Sequence, residues 1–202
     1  MRRFGASLVI AATAIATLTP TGVAAAAQAD CQPATRVAGD VDGDGKSDLV
    51  VGLPARNGNI GEVDLRLTTA SAGPLSLTTS KLGQGSSGDE FGASVALADL
   101  NEDGCSDIIV GAPGASGGAG RVFVVLGGPN GFQTADGQTL DGGATAGDRF
   151  GSSLAIARNR ANTGFDLWIG APLDDVGATN SGSVVHYVIT NSGGDLEFVA
   201  KT

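Results

Sequence analysis

Hydrophobic residues along this chain come in short runs, and each run ends in a cluster of glycine, proline, asparagine or aspartate. Residues 91–97, 107–110 and 121–126 are three such runs, and residues 139–140 leave room for a weak fourth. No segment repeats its apolar positions with the 3.6-residue period of a helix, so the pattern predicts short β-strands separated by turns. The chain is therefore expected to be all-β.

The pattern recurs with a period of 59 residues. Phe91-Gly92 precedes Phe150-Gly151 by 59 positions, and Gly111-Ala112-Pro113 precedes Gly170-Ala171-Pro172 by the same distance. Four short strands in a unit of this size are typical of a β-propeller blade, which buries its faces by stacking on its neighbours. We expect three blades, at residues 30–89, 90–148 and 149–202, in an incomplete or open propeller.

A loop between the first two strands carries oxygen side chains in the first two repeats. The ligands expected in loop 1 (residues 40–48) are the side chains of Asp40, Asp42, Asp44 and Asp48 and the main-chain carbonyl of Lys46. Those expected in loop 2 (residues 99–107) are the side chains of Asp99, Asn101, Asp103 and Asp107 and the carbonyl of Cys105. Neither loop contains histidine, and such a set, completed by water, suits Ca²⁺ better than a softer metal. The sequence predicts two calcium sites.

An alternative is that both loops are only turns, since aspartate and glycine favour turns in any case. Against this, the four carboxylates of loop 1 would repel one another without a cation. Loop 1 should bind calcium more tightly than loop 2, which has three carboxylates and Asn101. The loops are not EF-hands, because Val51 and Val110 stand where an EF-hand requires a bidentate glutamate.

The third repeat departs from this pattern in loop 3 (residues 158–166). Its ligand columns contain Arg158, Arg160, Asn162 and Asp166, and arginine cannot bind calcium. No calcium is expected there. One hypothesis is that an arginine takes the place of the ion by bonding Asp166.

Composition and charge narrow the class of protein. The chain has 33 glycines and a formal net charge of −9, which disfavours nucleic acid as a partner and favours cations. No apolar run is long enough for a membrane-spanning helix. Residues 1–29 combine a basic start, a short apolar stretch and a small-residue cleavage site, the pattern of a secretory signal peptide. We expect a secreted, extracellular protein.

Two motifs look catalytic, but their context is wrong. Residues 114–118 fit G-x-S-x-G and residues 83–88 fit G-x-G-x-x-G, yet each leads into a predicted strand where those motifs require a helix. Trp168 and His186 share columns with aliphatic residues and are expected to pack in the core. No catalytic residue and no enzyme activity are predicted.

Phe-Gly, an Asp-rich loop and Gly-Ala-Pro, in that order, resemble the FG-GAP repeat. The first repeat differs, with Gln32-Pro33 and Gly52-Leu53-Pro54 in those columns. FG-GAP repeats build the seven-bladed propeller of integrin α chains and occur in many secreted bacterial proteins. The resemblance implies that the loops bind calcium and that the propeller is a platform for ligands, here a binding or adhesion module for a protein or glycan.

Three repeats fall short of the family's seven, which leaves three alternatives. Two chains could complete a six-bladed ring as a homo-oligomer, the chain could remain an open arc, or it could be a truncated product with purely structural calcium. A secreted hydrolase on the same scaffold is the enzyme alternative. Cys31 and Cys105 suit an exported protein, and whether they form a disulfide is left open.

Overall fold

The computed structural model describes residues 31, 36–68, 73–176, 178–192 and 195–201. The expected signal peptide and Gln32-Pro33 lie outside the described residues. Within the described part, the strands form three antiparallel sheets that follow one another in chain order. The expectation of an all-β chain with open propeller-type blades is confirmed.

Each sheet is a meander in which strands that are consecutive in the chain are hydrogen bonded to each other. The described strands of blade 1 are β1 Leu49–Leu53, β2 Glu62–Arg66 and β3 Leu75–Leu77. Those of blade 2 are β4 Ser94–Ala98, β5 Asp107–Ala112, β6 Arg121–Gly128 and β7 Gly131–Leu140. Those of blade 3 are β8 Ser153–Arg158, β9 Phe165–Ala171, β10 Ser183–Ser192 and β11 Asp195–Lys201. This arrangement is that of propeller blades.

The fourth strand of blade 2 is much longer than the sequence indicated. β7 pairs with β6 in two segments, and the register shifts between Val124 and Leu126. Such a bulge interrupts the alternation of inward and outward side chains, which is the signal that sequence reasoning uses. The weak strand predicted at residues 139–140 is therefore only the end of β7.

The helical segments are short turns. α1 Arg56–Asn59 and α2 Ala115–Gly118 each contain left-handed residues, among them Asn57 with φ 53° and Ser116 with φ 56°. Asn57 lies one 59-residue period before Ser116. The left-handed conformation of Ser116 is therefore a feature of the repeat and gives no sign of a catalytic nucleophile. Together with the 3₁₀ turn Thr79–Leu82, these segments are far too short to cross a bilayer, and the described residues contain no membrane-spanning helix.

Two hydrophobic cores lie between the blades. The core between blades 1 and 2 contains Leu65, Phe91 and Ile108, and every residue of β5 is buried. The core between blades 2 and 3 contains Ile109 and Phe150. Phe91 and Phe150 are both 0% exposed, so the phenylalanine of each Phe-Gly pair anchors one blade against the preceding one.

Trp168 is not a core residue, and the expectation that it packs inside is wrong. Leu167 and Ile169 of β9 point towards blade 2 and are 0% exposed, whereas Trp168 points to the opposite face and is 37% exposed. Its ring stacks on His186 with centroids 4.9 Å apart. In the column of Trp168, Ile109 is buried because blade 3 covers it. No described residue covers blade 3 in the same way.

Neighbouring blades come into close backbone contact at a recurring glycine. A Cβ atom on Gly52 would lie 2.0 Å from the carbonyl oxygen of Gly92 in the next blade. A Cβ atom on Gly111 would lie 2.0 Å from the carbonyl oxygen of Gly151. The glycine of the first two Gly-x-Pro triplets is therefore required by the backbone of the following blade, which explains why this column repeats in the sequence.

Replacing this glycine should destabilise the protein where a blade follows. We expect Gly111→Ala to cost about 3 kcal/mol, because the new methyl group would overlap backbone that cannot move without opening the junction. Gly170→Ala is the matched control, since the nearest atom to its Cβ is the rotatable hydroxyl of Ser153. Thermal unfolding of both variants checks this, and equal melting temperatures would contradict it.

Candidate metal centre in the loops of blades 1 and 2

Asp40 organises loop 1 from its first position. Its carboxylate is buried and accepts backbone N–H bonds from Gly43 (2.7 Å), Asp44 (3.1 Å) and Gly45 (2.8 Å). Gly43 and Gly45 have positive φ angles of 76° and 86°, so glycine allows the chain to wrap around this carboxylate. The carboxylate of Asp40 therefore holds loop 1 in a compact turn.

Three carboxylates of loop 1 come together. One oxygen from each of Asp40, Asp42 and Asp48 lies within 4.8 Å of the other two. Two oxygens that both bind one calcium ion at about 2.4 Å are at most about 4.8 Å apart, so the spacing fits that ion. Asp44 lies outside the group, and its Oδ1 accepts the backbone N–H of Lys46 at 2.8 Å.

Asp48, at the ninth position, joins the loop to the sheet. Its Oδ2 accepts the N–H of Val41 at 2.9 Å, and its Oδ1 accepts the N–H of Thr68 at 2.9 Å. One side chain thus connects the start of loop 1 to the residue two positions beyond β2. Aspartate recurs at the ninth position of all three loops, which indicated that Asp48 is important. The backbone N–H groups that Asp48 binds were not predicted from the sequence.

Asp107 makes the equivalent connection in blade 2, at a fully buried position. It accepts N–H bonds from Leu100 (2.8 Å) and Gly127 (3.0 Å) and is 0% exposed. Burial raises the pKa of Asp107 to about 7, although the two backbone donors act in the opposite direction. A nearby cation would lower this pKa again, because it favours the ionised carboxylate.

Crowding of negative charge also perturbs loop 1. Burial, and then the carboxylates of Asp48, Asp44 and Asp40, raise the pKa of Asp42 against the opposing hydrogen bond from Asp44 N–H. The three charges that act on Asp42 are the other three carboxylates predicted to bind calcium. A divalent cation among them would remove this repulsion.

Loop 2 has a carboxylate oxygen without a partner. Asp99 Oδ2 accepts the N–H of Gly104 (3.2 Å) and lies 3.3 Å from Nε of Arg36. Its other oxygen, Oδ1, is buried and forms no hydrogen bond with any described residue. A buried, unpaired carboxylate oxygen is costly, and a cation at this point would satisfy it. The residues of loop 2 therefore fit a calcium ion.

The carboxylates of loop 2 are nevertheless less well gathered than those of loop 1. The group of acidic and cysteine side chains that approaches there consists of Asp103, Cys31 and Cys105. Both sulfurs belong to a disulfide and cannot bind a metal. Asn101 Oδ1 accepts the N–H of Asp103, and its amide donates to Asp103 Oδ2 at 2.9 Å.

The carbonyl groups predicted at position 7 belong to Lys46 and Cys105. Among the described residues, none donates a hydrogen bond to either oxygen. Both can therefore serve a cation, and their role as ligands stays a prediction.

Cys31, nine residues before loop 1, forms a disulfide with Cys105 of loop 2, which answers the question of pairing that the sequence left open. A Cβ atom on Gly43, in loop 1, would lie 3.1 Å from Cys105 Sγ. In addition, Ser106 N–H donates to the carbonyl of Asp40 at 2.6 Å. Loops 1 and 2 are thus packed side by side, with the disulfide against Gly43.

In loop 3, only the last of the four ligand columns keeps its carboxylate, that of Asp166. Asn159 Oδ1 accepts the N–H of Thr163 at 3.0 Å and closes the turn. The hypothesis that an arginine bonds Asp166 is wrong. Arg158 donates instead to Glu102 of loop 2 (2.7 Å), and Asp166 pairs with Nε2 of His186 (2.8 Å). The absence of calcium from loop 3 stays a prediction.

Comparison with known proteins agrees with this architecture. Residues 91–125 match the model of the FG-GAP repeat. The chain is 37% identical over 143 residues to integrin alpha-IIb of Mus musculus, which covers 65% of this chain and 14% of that protein. It is 33% identical over 156 residues to integrin alpha-6 of Gallus gallus, covering 72% of this chain and 14% of that protein.

A third relative is integrin alpha pat-2 of Caenorhabditis elegans, 35% identical over 175 residues, or 76% of this chain and 13% of that protein. The chain thus spans about a seventh of the length of the curated relatives it matches. It has propeller-type blades, contains an FG-GAP repeat at residues 91–125, and is similar in sequence to integrin α subunits.

Reduction of the disulfide should loosen the junction of loops 1 and 2. The bond joins residues 74 positions apart, so its loss should destabilise the protein by about 4 kcal/mol in the chain-entropy model. Thermal unfolding of Cys105→Ser and of the reduced wild type checks this. A linked peptide pair in non-reducing mass spectrometry is the control, and free thiols in the oxidised protein would contradict the pairing.

Proposed function

We propose that this chain is an exported FG-GAP repeat module that binds two calcium ions and uses its blade loops to bind a protein or glycan. The observation that carries the calcium proposal is the convergence of Asp40, Asp42 and Asp48 within 4.8 Å. The unpartnered, buried Oδ1 of Asp99 supports a second site in loop 2. Hard oxygen donors of this kind are calcium ligands.

The two sites should differ in affinity. Loop 1 offers four carboxylates, whereas loop 2 offers three and lies beside the guanidinium group of Arg36. A fixed positive charge 3.3 Å from Asp99 repels an incoming cation, which adds to the difference in ligand charge. We therefore expect loop 1 to fill first.

Calcium in these loops would strengthen the contact between blades 1 and 2. Each loop leads directly into a strand of its blade, β1 or β5, and the loops are joined by the hydrogen bond from Ser106 N–H to the carbonyl of Asp40. An ion that neutralises the carboxylates of loop 1 would therefore favour the packed arrangement of both blades.

Binding, rather than catalysis, is the function that we propose. The left-handed Ser116 lies in a turn whose equivalent in blade 1 has Asn57 with the same conformation. The histidine of the chain, His186, is hydrogen bonded to Asp166 in blade 3. These contacts give both residues structural explanations, and FG-GAP relatives named as integrin α subunits favour a binding role.

Assembly of two chains into a six-bladed ring is a further proposal. Such a ring would join the outer face of blade 3 to that of blade 1, where Leu49 is 56% exposed and Val51 is 39% exposed. Asp64 and Arg66 occupy columns of blade 1 that hold Phe123 and Val125 in blade 2, so this joint would be more polar than the internal junctions. The solution mass of the protein in calcium checks it: twice the mass of one chain is expected, and a monomer would contradict it.

Calcium should stabilise the wild type and do so less for a loop 1 variant. At calcium concentrations about 100 times Kd, binding adds about 2.7 kcal/mol per site, enough to raise Tm by several degrees. We expect Asp42→Ala to lose at least half of this increase, because it removes one of the three converging carboxylates. Differential scanning calorimetry in calcium and in chelator measures the effect.

The matched control is Asp195→Ala, which removes an exposed carboxylate at the start of β11. Its response to calcium should equal that of the wild type, and in chelator Asp42→Ala should melt with the wild type. If chelator leaves the melting temperature of the wild type unchanged, the calcium proposal fails. If calcium stabilises the protein but no binding activity depends on it, the ion is structural only.

A further inference from the structure

A polar cavity of about 230 Å³ lies where the segment that joins blades 1 and 2 meets α2 of blade 2. Polar side chains from both sides line it, together with the buried ring of Phe123: Gln84, Ser86, Asp89, Ser116 and Arg121. None of these residues belongs to loops 1–3 or to the strands of blades 1 and 3. The cavity is therefore separate from the proposed calcium sites and from the proposed joint between two chains.

Arg121, at the start of β6, is half-buried in this cavity and forms no ion pair with any carboxylate of the described residues. Its guanidinium group donates a hydrogen bond to Oε1 of Gln84. A guanidinium group carries five N–H donors in a planar fork that suits a carboxylate, so this one bond leaves donors for a second acceptor. Arg121 is therefore equipped to bind an anionic group that enters the cavity.

The other two blades give the residue in the column of Arg121 a side-chain partner within the same blade. In blade 1 this residue is Glu62, which lies 3.5 Å from the guanidinium group of Arg56. In blade 3 it is Ser183, whose hydroxyl donates to the carboxylate of Asp174. Arg56 and Asp174 themselves share one column of the repeat, at or beside the turn that follows the second strand.

Blade 2 has Ala115 in that partner column. Alanine has no group that could pair with Arg121, and its short side chain leaves space that a longer side chain would fill. Ala115 lines the cavity. The cavity and the guanidinium group without a carboxylate partner thus have the same cause, which is a residue that differs between the repeats.

Asp89 provides hydrogen-bond acceptors in the same cavity. It is buried, and its Oδ2 accepts the N–H of Ser86 at 2.7 Å. Carboxylate oxygens have several lone pairs and accept hydrogen bonds from hydroxyl groups, and the hydroxyls of Ser86 and Ser116 can donate as well as accept. The cavity therefore combines a cationic group with several partners for hydroxyl groups.

We propose that this cavity binds one acidic sugar unit, a uronate, of a glycan. The sugar carboxylate would bind Arg121, and the sugar hydroxyls would bind Asp89 and the two serines. The volume is below the about 300–1,000 Å³ of pockets for drug-sized molecules, which favours a single small unit. The formal net charge of −9 disfavours a long polyanion, so we expect the acidic unit to be isolated in an otherwise neutral glycan.

This inference rests on the proposed binding function and names the class of ligand. A glycan array separates the two: binding to glycans that all lack an acidic sugar would overturn the uronate site and leave the binding function standing. Binding that is confined to glycans with an acidic sugar would support both.

The direct probe is D-glucuronate, titrated into ¹⁵N-labelled protein in calcium buffer. It should shift the amide signals of Gly85, Ser86 and Ser116, with a dissociation constant on the order of 1 mM. D-glucose keeps the ring but lacks the carboxylate, and acetate keeps the carboxylate but lacks the hydroxyls. Each should bind at least about tenfold more weakly, because each lacks one of the two sets of hydrogen bonds.

Two variants test the role of Arg121. Arg121→Gln should weaken glucuronate binding at least about tenfold and abolish the preference over glucose, because the charge-assisted bonds are lost. Ala115→Asp should also block glucuronate, since it places a carboxylate in the column where blade 3 has Asp174. Arg160→Gln, which removes the same charge from an exposed position of loop 3, is the matched control and should bind as the wild type does.

The melting temperature of each variant checks that it is folded. The proposal is overturned if glucose binds as tightly as glucuronate, if no probe shifts these signals, or if Arg121→Gln binds glucuronate as the wild type does. It is also overturned if acetate binds as tightly as glucuronate, since the hydroxyls would then contribute nothing and an acidic side chain of a protein would be the better ligand.

Discussion

In each of the first two blades, the aspartate at the ninth loop position ties its acidic loop to the sheet, and both the fold and the candidate site depend on it. In blade 2, Asp107 joins the start of loop 2 to β6 through the N–H groups of Leu100 and Gly127. Burying a charge is costly unless donors or a counter-ion compensate for it. The pKa of about 7 indicates that two N–H groups compensate only in part. A cation bound in loop 2 would therefore favour the ionised form of Asp107.

The second constraint is the close approach of neighbouring backbones. Because the next blade lays a glycine carbonyl against Gly52 and Gly111, the blades stack in one fixed way, with a phenylalanine filling the core beside each contact. This explains how a chain with few aromatic residues still forms two well-buried cores. It also explains the exposed surface of blade 3, where Gly170 and Trp168 keep the form of a junction without a described neighbour.

Periodicity made the blades and the acidic loops predictable, because glycine, aspartate and phenylalanine recur where the backbone requires them. The convergence of Asp40, Asp42 and Asp48 follows from that pattern. What the repeat could not predict are contacts made once: Arg36 beside Asp99, and the pairing of Asp166 with His186. The exposure of Trp168 was not predicted for a related reason. The position of a residue in the repeat indicates the face of the blade on which its side chain lies, but not whether a neighbouring blade covers that face.

The most direct test of the central claim is a crystal structure of the protein grown in calcium, with anomalous diffraction data to locate the ions. One ion should lie within about 2.3–2.6 Å of oxygens from Asp40, Asp42 and Asp48. A second, of lower occupancy, should satisfy Oδ1 of Asp99, and loop 3 should hold none. Absence of an anomalous peak from loop 1 in crystals soaked in excess calcium would contradict the account.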